Sequence, residues 1–105
     1  MTGPAVTEKS FQASVVQLAR LLGWRVHYVR NSIGSPQGWP DLVLCRDGVL
    51  LFRELKTAKG RVASEQSEWG DLLARCGLDS AVWRPSDWTR IEATPRGQLD
   101  LEVAR

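Results

Sequence analysis

The pair Asp47-Gly48 stands between two apolar runs, Leu42-Val43-Leu44-Cys45 and Val49-Leu50-Leu51-Phe52, and it constrains the fold more than any other feature of the chain. A two-residue type I′ turn needs positive φ at both central positions, which Asp and Gly tolerate, so the pattern predicts a β-hairpin. A turn centred there sets Arg46 opposite Val49, Cys45 opposite Leu50, Val43 opposite Phe52 and Asp41 opposite Glu54. Opposed residues of an antiparallel pair point to the same face with Cβ atoms roughly 4.5–5.5 Å apart. Lys56 follows Glu54 by two positions and shares that face. Two carboxylates so placed repel each other unless a cation sits between them, and carboxylate oxygens are the hard ligands that Mg²⁺ prefers. Two other readings stand beside this one. Acids at strand ends are often simply solvated, and a three-residue turn would shift the register by one.

A chain of 105 residues has room for one hydrophobic core, so we expect a single domain with its core at about residues 7–94 and a tail at 95–105. Hydrophobic residues at 43% and charged residues at 25% are ordinary globular values and argue against disordered and fibrous classes. No run of eighteen apolar residues and no signal-peptide pattern is present, so a cytoplasmic protein without a membrane span is expected. The two cysteines, Cys45 and Cys76, lack metal-site spacing and read as small buried hydrophobes. Nothing points to a small-molecule organic cofactor. A net charge of +2 does not by itself imply a nucleic-acid partner. The segment from Arg53 to Arg61 is different: it carries Arg53, Lys56, Lys59 and Arg61 against Glu54 alone, a local excess suited to phosphates.

In chain order, Thr7 is a fitting N-cap for a helix whose apolar positions Phe11, Val15, Leu18, Ala19 and Leu22 recur at helical spacing before Gly23. Glu8 begins the core-facing stripe, where an acid also complements the helix dipole. The stretch Trp24 to Arg30 alternates like a strand, with the only histidine, His27, read as structural. Residues Asn31 to Gly38 have a loop composition leading into the hairpin, and Arg30 and Asn31 are candidate DNA contacts there. After Lys56 the periodicity breaks until Ser64, a good N-cap for a second helix with Gln66, Trp69, Leu72, Leu73 and Cys76 on one face. Ser80 to Arg84 reads as a strand stopped by Pro85, and a short helix follows through Trp88 and Ile91. Trp24, Trp69, Trp83 and Trp88 fall on apolar stripes and belong to the core, whereas Trp39, beside Asp41, is placed to meet substrate. The order helix-strand-hairpin-helix-strand-helix predicts an α+β domain with a mixed sheet. The tail Leu99-Asp100-Leu101-Glu102-Val103 alternates like an edge strand able to pair with a second copy, so a homodimer is expected.

Pro40-Asp41, then twelve residues, then Glu54-Leu55-Lys56 resembles the PD-(D/E)XK nuclease superfamily and its small restriction-endonuclease-like fold. Gln66 followed by Trp69, together with Gly38 and the Asp47-Gly48 turn, is similar to the virus-type replication-repair nuclease (VRR-NUC) domains. The resemblance runs from Glu8 to about Trp88. It implies a DNA endonuclease of phage or bacterial type that hydrolyses phosphodiester bonds with Mg²⁺ or Mn²⁺, on branched DNA such as Holliday junctions. The implied ligands are Asp41, Glu54, the carbonyl of Leu55 and Glu8. The implied catalytic group adds Lys56, to orient or activate water and stabilise the phosphorane, and Gln66. From the basic stretch and the loop position, Lys59, Arg61 and Trp39 are the expected DNA contacts. The alternative is a catalytically silent DNA-binding module of the same fold, and a third reading is a purely structural subunit of an assembly.

Overall fold

The computed structural model describes residues 6–28 and 36–93. Helix α1 (Glu8–Leu21) starts at Thr7, whose hydroxyl accepts the Ser10 N–H at 3.0 Å while the Ser10 hydroxyl accepts the Thr7 N–H at 3.1 Å. This reciprocal capping satisfies two of the four N–H groups that every helix start leaves without partners. Strand β1 (Arg25–Tyr28) follows, then β2 (Leu42–Arg46), β3 (Val49–Leu55), helix α2 (Ser64–Arg75), strand β4 (Asp79–Trp83) and, after a 3-10 turn at Pro85–Asp87, helix α3 (Trp88–Ala93). The sheet order is β1-β2-β3-β4, with β1/β2 and β2/β3 antiparallel and β3/β4 parallel. A helical crossover is what a parallel neighbour requires, and α2 supplies it.

The expected hairpin register holds. Arg46 pairs with Val49, Cys45 with Leu50 and Val43 with Phe52, with Asp47 at φ 48° and Gly48 at φ 81°. The ladder closes at Leu42↔Arg53, one pair before Asp41 and Glu54, so Asp41 sits just ahead of β2 and Glu54 where β3 is about to end.

Alternation along the strands separates two faces. One carries Trp24, Leu42, Leu44, Leu51, Leu55 and Trp83 against Phe11, Val15, Val16 and Ala19 of α1 and Ile91 of α3. On the opposite face Phe52 packs edge-on to Trp39, with ring centroids 5.8 Å apart, and Trp39 packs edge-on to Trp69 of α2 at 5.0 Å. β3 therefore has helices on both sides, and its five residues from Leu51 to Leu55 are all buried.

Several expectations are corrected. Arg53, counted among the phosphate-facing cations, points to the α1 side: its Nη2 lies 2.9 Å from Asp79 Oδ1 and its guanidinium stacks over the Trp83 ring at 4.9 Å. Buried at 5% exposure, it is tied to β4 and unavailable to DNA. Both cysteines are exposed. Cys45 lies on the half of the sheet that α2 does not reach, and Cys76 sits at the α2 C-cap, where the stripe has turned to solvent. Leu72 is exposed for the same reason, leaving Leu73 as the buried residue of α2. The N-cap of α2 is Ala63, and Ser64 is its first helical residue. Arg30, Asn31 and the tail at 95–105 lie outside the described residues. No helix among those described is long and apolar enough to cross a membrane.

Candidate active site

The site forms where three elements end. The capped start of α1 presents Glu8, Asp41 stands just before β2, and the end of β3 presents Glu54 and, one residue beyond the strand, Lys56. One carboxylate oxygen from each of Glu8, Asp41 and Glu54 lies within 4.8 Å of the other two. Asp41 is pinned because its Oδ2 accepts the Leu55 N–H at 2.8 Å. That bond continues the β2/β3 pairing through a side chain where the backbone ladder has stopped. The Leu55 side chain is fully buried in the core, which fixes the backbone that Asp41 binds.

Glu54 is 6% exposed, and its two oxygens have different environments. Oε2 accepts the Gln66 amide at 2.5 Å and lies 3.7 Å from Lys56 Nζ. Oε1 is buried with no hydrogen-bond donor. The Glu54 carboxyl is raised from 4.5 to about 8: burial is the largest cause and the charge of Asp41 the next, Lys56 opposes the rise, and a hydrogen bond that the protonated carboxyl can share with Asp41 and the charge of Glu8 add to it. An ionised Glu54 beside two more carboxylates is a cluster with one cation too few. Three acids with converging oxygens, one of them carrying a buried acceptor without a hydrogen-bond partner, are an arrangement that a hard divalent ion completes.

Gln66 joins α2 to this cluster. Its Oε1 accepts the Ala63 N–H at 2.8 Å, one half of a capping box, while its Nε2 donates to Glu54. Ala63 has no side-chain oxygen to accept the Gln66 backbone N–H, so only the half of the box that Gln66 supplies is made. Gly38 brings the loop before Asp41 against the same helix start. It has φ +91°, and a Cβ there would fall 2.4 Å from the Glu65 carbonyl oxygen. Only glycine permits that approach, and it seats Trp39 between Phe52 and Trp69. Trp39, expected at the substrate, thus has its ring engaged within the protein and is half-buried. Lys59 and Arg61 are exposed on the loop after Lys56.

Sequence reasoning passed over Arg84. Its Nη1 donates to the carbonyls of Thr57 at 2.6 Å and Gly60 at 2.8 Å, with Ala58 at 3.5 Å. No local signal marks this residue, because the contact exists only once β4 has docked parallel to β3.

No protein-family model matches the chain, and no curated protein matches it in sequence. Among solved structures it is similar to a VRR_NUC domain protein, with a TM-score of 0.72 and 19% identity over 93% of this chain and 92% of that one. It is also similar to Hjc of Archaeoglobus fulgidus, a Holliday junction resolvase, with a TM-score of 0.52 and 21% identity over 71% of this chain and 66% of that one. The three helices and four-stranded mixed sheet are therefore a nuclease-like α+β fold, as the motif spacing implied.

Proposed function

We propose that this chain is a divalent-metal-dependent DNA endonuclease that hydrolyses phosphodiester bonds. The observation that carries the reading is the convergence of Glu8, Asp41 and Glu54 oxygens within 4.8 Å of one another, with Lys56 beside the Glu54 carboxylate. Glu8, Asp41 and Glu54 would hold Mg²⁺ or Mn²⁺, with the Leu55 carbonyl as a further ligand. Bound there, the ion would polarise the phosphate and lower the pKa of a water.

The chain's own residues supply the rest. A phosphodiester and a hydroxide repel, so cleavage needs positive charge fixed before the reaction begins. Lys56, 14% exposed at its side chain and braced by Glu54, is such a charge and would orient the attacking water and stabilise the phosphorane. Gln66 holds Glu54 by Oε2, and Oε1 has no hydrogen-bond partner within the protein and would be available to the ion. Lys59 and Arg61 would meet the flanking phosphates.

The similarity to a Holliday junction resolvase makes branched DNA the first substrate to try. Resolving a four-way junction takes two symmetric cuts, so on that substrate the active species would be a homodimer, which light scattering checks. The deciding experiment is cleavage of linear, nicked, flap and four-way-junction DNA with Mg²⁺, Mn²⁺ or EDTA. Metal-dependent cutting that Asp41→Asn and Lys56→Ala abolish supports the reading, and binding without cutting by the wild type would reject the enzyme.

A further inference from the structure

We propose that Arg84 is a positioning residue that fixes the basic loop at residues 57–61 against the DNA backbone beside the cleaved bond, an inference that rests on the nuclease reading above. Two backbone bonds anchor the loop. Lys56 N–H reaches back to the Trp83 carbonyl at 3.1 Å, and Gly60 N–H closes a turn onto the Thr57 carbonyl at 3.2 Å. Both ends of that turn then converge on one nitrogen, Arg84 Nη1, which binds the carbonyls of Thr57 and Gly60. Arg84 is itself steadied, its own N–H bonded to Asp87 Oδ2 at 2.8 Å.

The placement has two consequences. With the Thr57 and Gly60 carbonyls drawn to the guanidinium, the exposed side chains of this stretch are Ala58 and the cations Lys59 and Arg61. The loop also lies along the catalytic lysine: a Cβ at Gly60 would stand 3.5 Å from Lys56 Cδ. A turn clamped at both ends is ordered before DNA arrives, so its cations meet phosphate without a further ordering cost. The guanidinium also adds a fixed positive charge to Lys56, Lys59 and Arg61, and its bonds to the Thr57 and Gly60 carbonyls hold the turn against the mutual repulsion of these cations.

The test is a double-mutant cycle on DNA affinity. Kd for a duplex and for a four-way junction is measured against salt, in Ca²⁺ without turnover, for wild type, Arg84→Ala, Lys59→Ala/Arg61→Ala and the triple variant. Arg84→Ala should weaken binding and lower the salt slope by up to about 1.8, the loss of two phosphate contacts. In the Lys59→Ala/Arg61→Ala background it should cost little more. In cleavage assays KM should rise by a larger factor than kcat falls. Hydrogen exchange without DNA should show the Gly60 amide losing protection while β3 keeps its own.

An unchanged Kd and slope, or a loss fully additive to that of Lys59→Ala/Arg61→Ala, would overturn the proposal. If Arg84→Ala fails to fold, the same cycle with Arg84→Lys decides it, since the charge remains on an arm one atom shorter and an intermediate loss is expected. A wild type that neither binds nor cuts DNA defeats the nuclease reading itself, and this inference with it. A wild type that cuts while Arg84→Ala behaves normally defeats only the inference.

Discussion

Gln66 and Glu54 meet at 2.5 Å, amide to carboxylate, and through this contact the first turn of α2 is joined to the end of β3 at the acidic cluster. The same amide accepts the Ala63 N–H, so one side chain caps a helix and orients a candidate metal ligand. Gln66→Ala should therefore lower both stability and activity. Losing a buried hydrogen bond and half of a cap costs about 1–2 kcal/mol. Thermal melts in EDTA check the first effect and cleavage assays the second, and an unchanged melting temperature with full activity would sever this link.

Lys56→Ala or Lys56→Met should abolish cleavage while leaving metal binding and most DNA affinity, because the proposed role belongs to the transition state. Single-turnover assays at saturating DNA measure it. Cutting at the wild-type rate by Lys56→Ala would place the active site elsewhere.

Asp41 lies beside Glu54 and helps to raise its carboxyl. Asp41→Asn keeps an oxygen able to accept the Leu55 N–H while removing a negative charge. Without metal it should melt higher, by roughly 0.2–1 kcal/mol, the range for a cross-strand pair. The wild type should gain about 2.7 kcal/mol from an ion at a hundredfold excess over its Kd. Asp41→Asn should lose most of that gain. Melts in EDTA and in a Mn²⁺ titration decide it: a variant that melts lower in EDTA yet gains fully from Mn²⁺ would make Asp41 a structural turn residue only.

The raised Glu54 carboxyl has a pH signature. Its folded value of about 8 exceeds the ordinary 4.5, so between these values the folded protein holds a proton that the unfolded chain has released. This contribution is full below about pH 4.5 and is lost as pH rises through about 8. Melting temperature in EDTA should fall across that window. Metal competes with the proton for Glu54, so added Mn²⁺ should stabilise more as pH rises. Glu54→Gln should flatten the EDTA profile, and a wild-type profile that is already flat would remove Glu54 as its source.

Gly38→Ala adds a Cβ 2.4 Å from a backbone oxygen at a positive φ, so the loop must leave α2 or the helix start must shift. We expect a loss of about 1–3 kcal/mol, the cost of one strained backbone position. The Trp39–Trp69 edge contact should weaken, visible in near-ultraviolet circular dichroism as well as in the melt. Wild-type values in both would mean the loop has slack that the close packing does not suggest.

The local alphabet of the chain determined the hairpin and its register, because a two-residue Asp-Gly turn leaves one pairing and a period of two then assigns every side chain to a face. It likewise determined α1, whose cap and apolar stripe are both local, and so placed Asp41, Glu54 and Lys56 at one end of the hairpin. Only the tertiary structure decided the rest. Arg53 on β3 and Lys56 just beyond its end look alike as basic residues three positions apart, yet Arg53 on the α1 side is consumed by Asp79, while Lys56 stays at the site. Cys45 reads as core by composition and is exposed because α2 covers only part of its face. Arg84 gains its partners from a parallel strand pairing that brings residues 24 to 27 positions apart into contact. Periodicity reports the face on which a residue lies. What covers that face is set by how elements distant in sequence pack, and that information is not local.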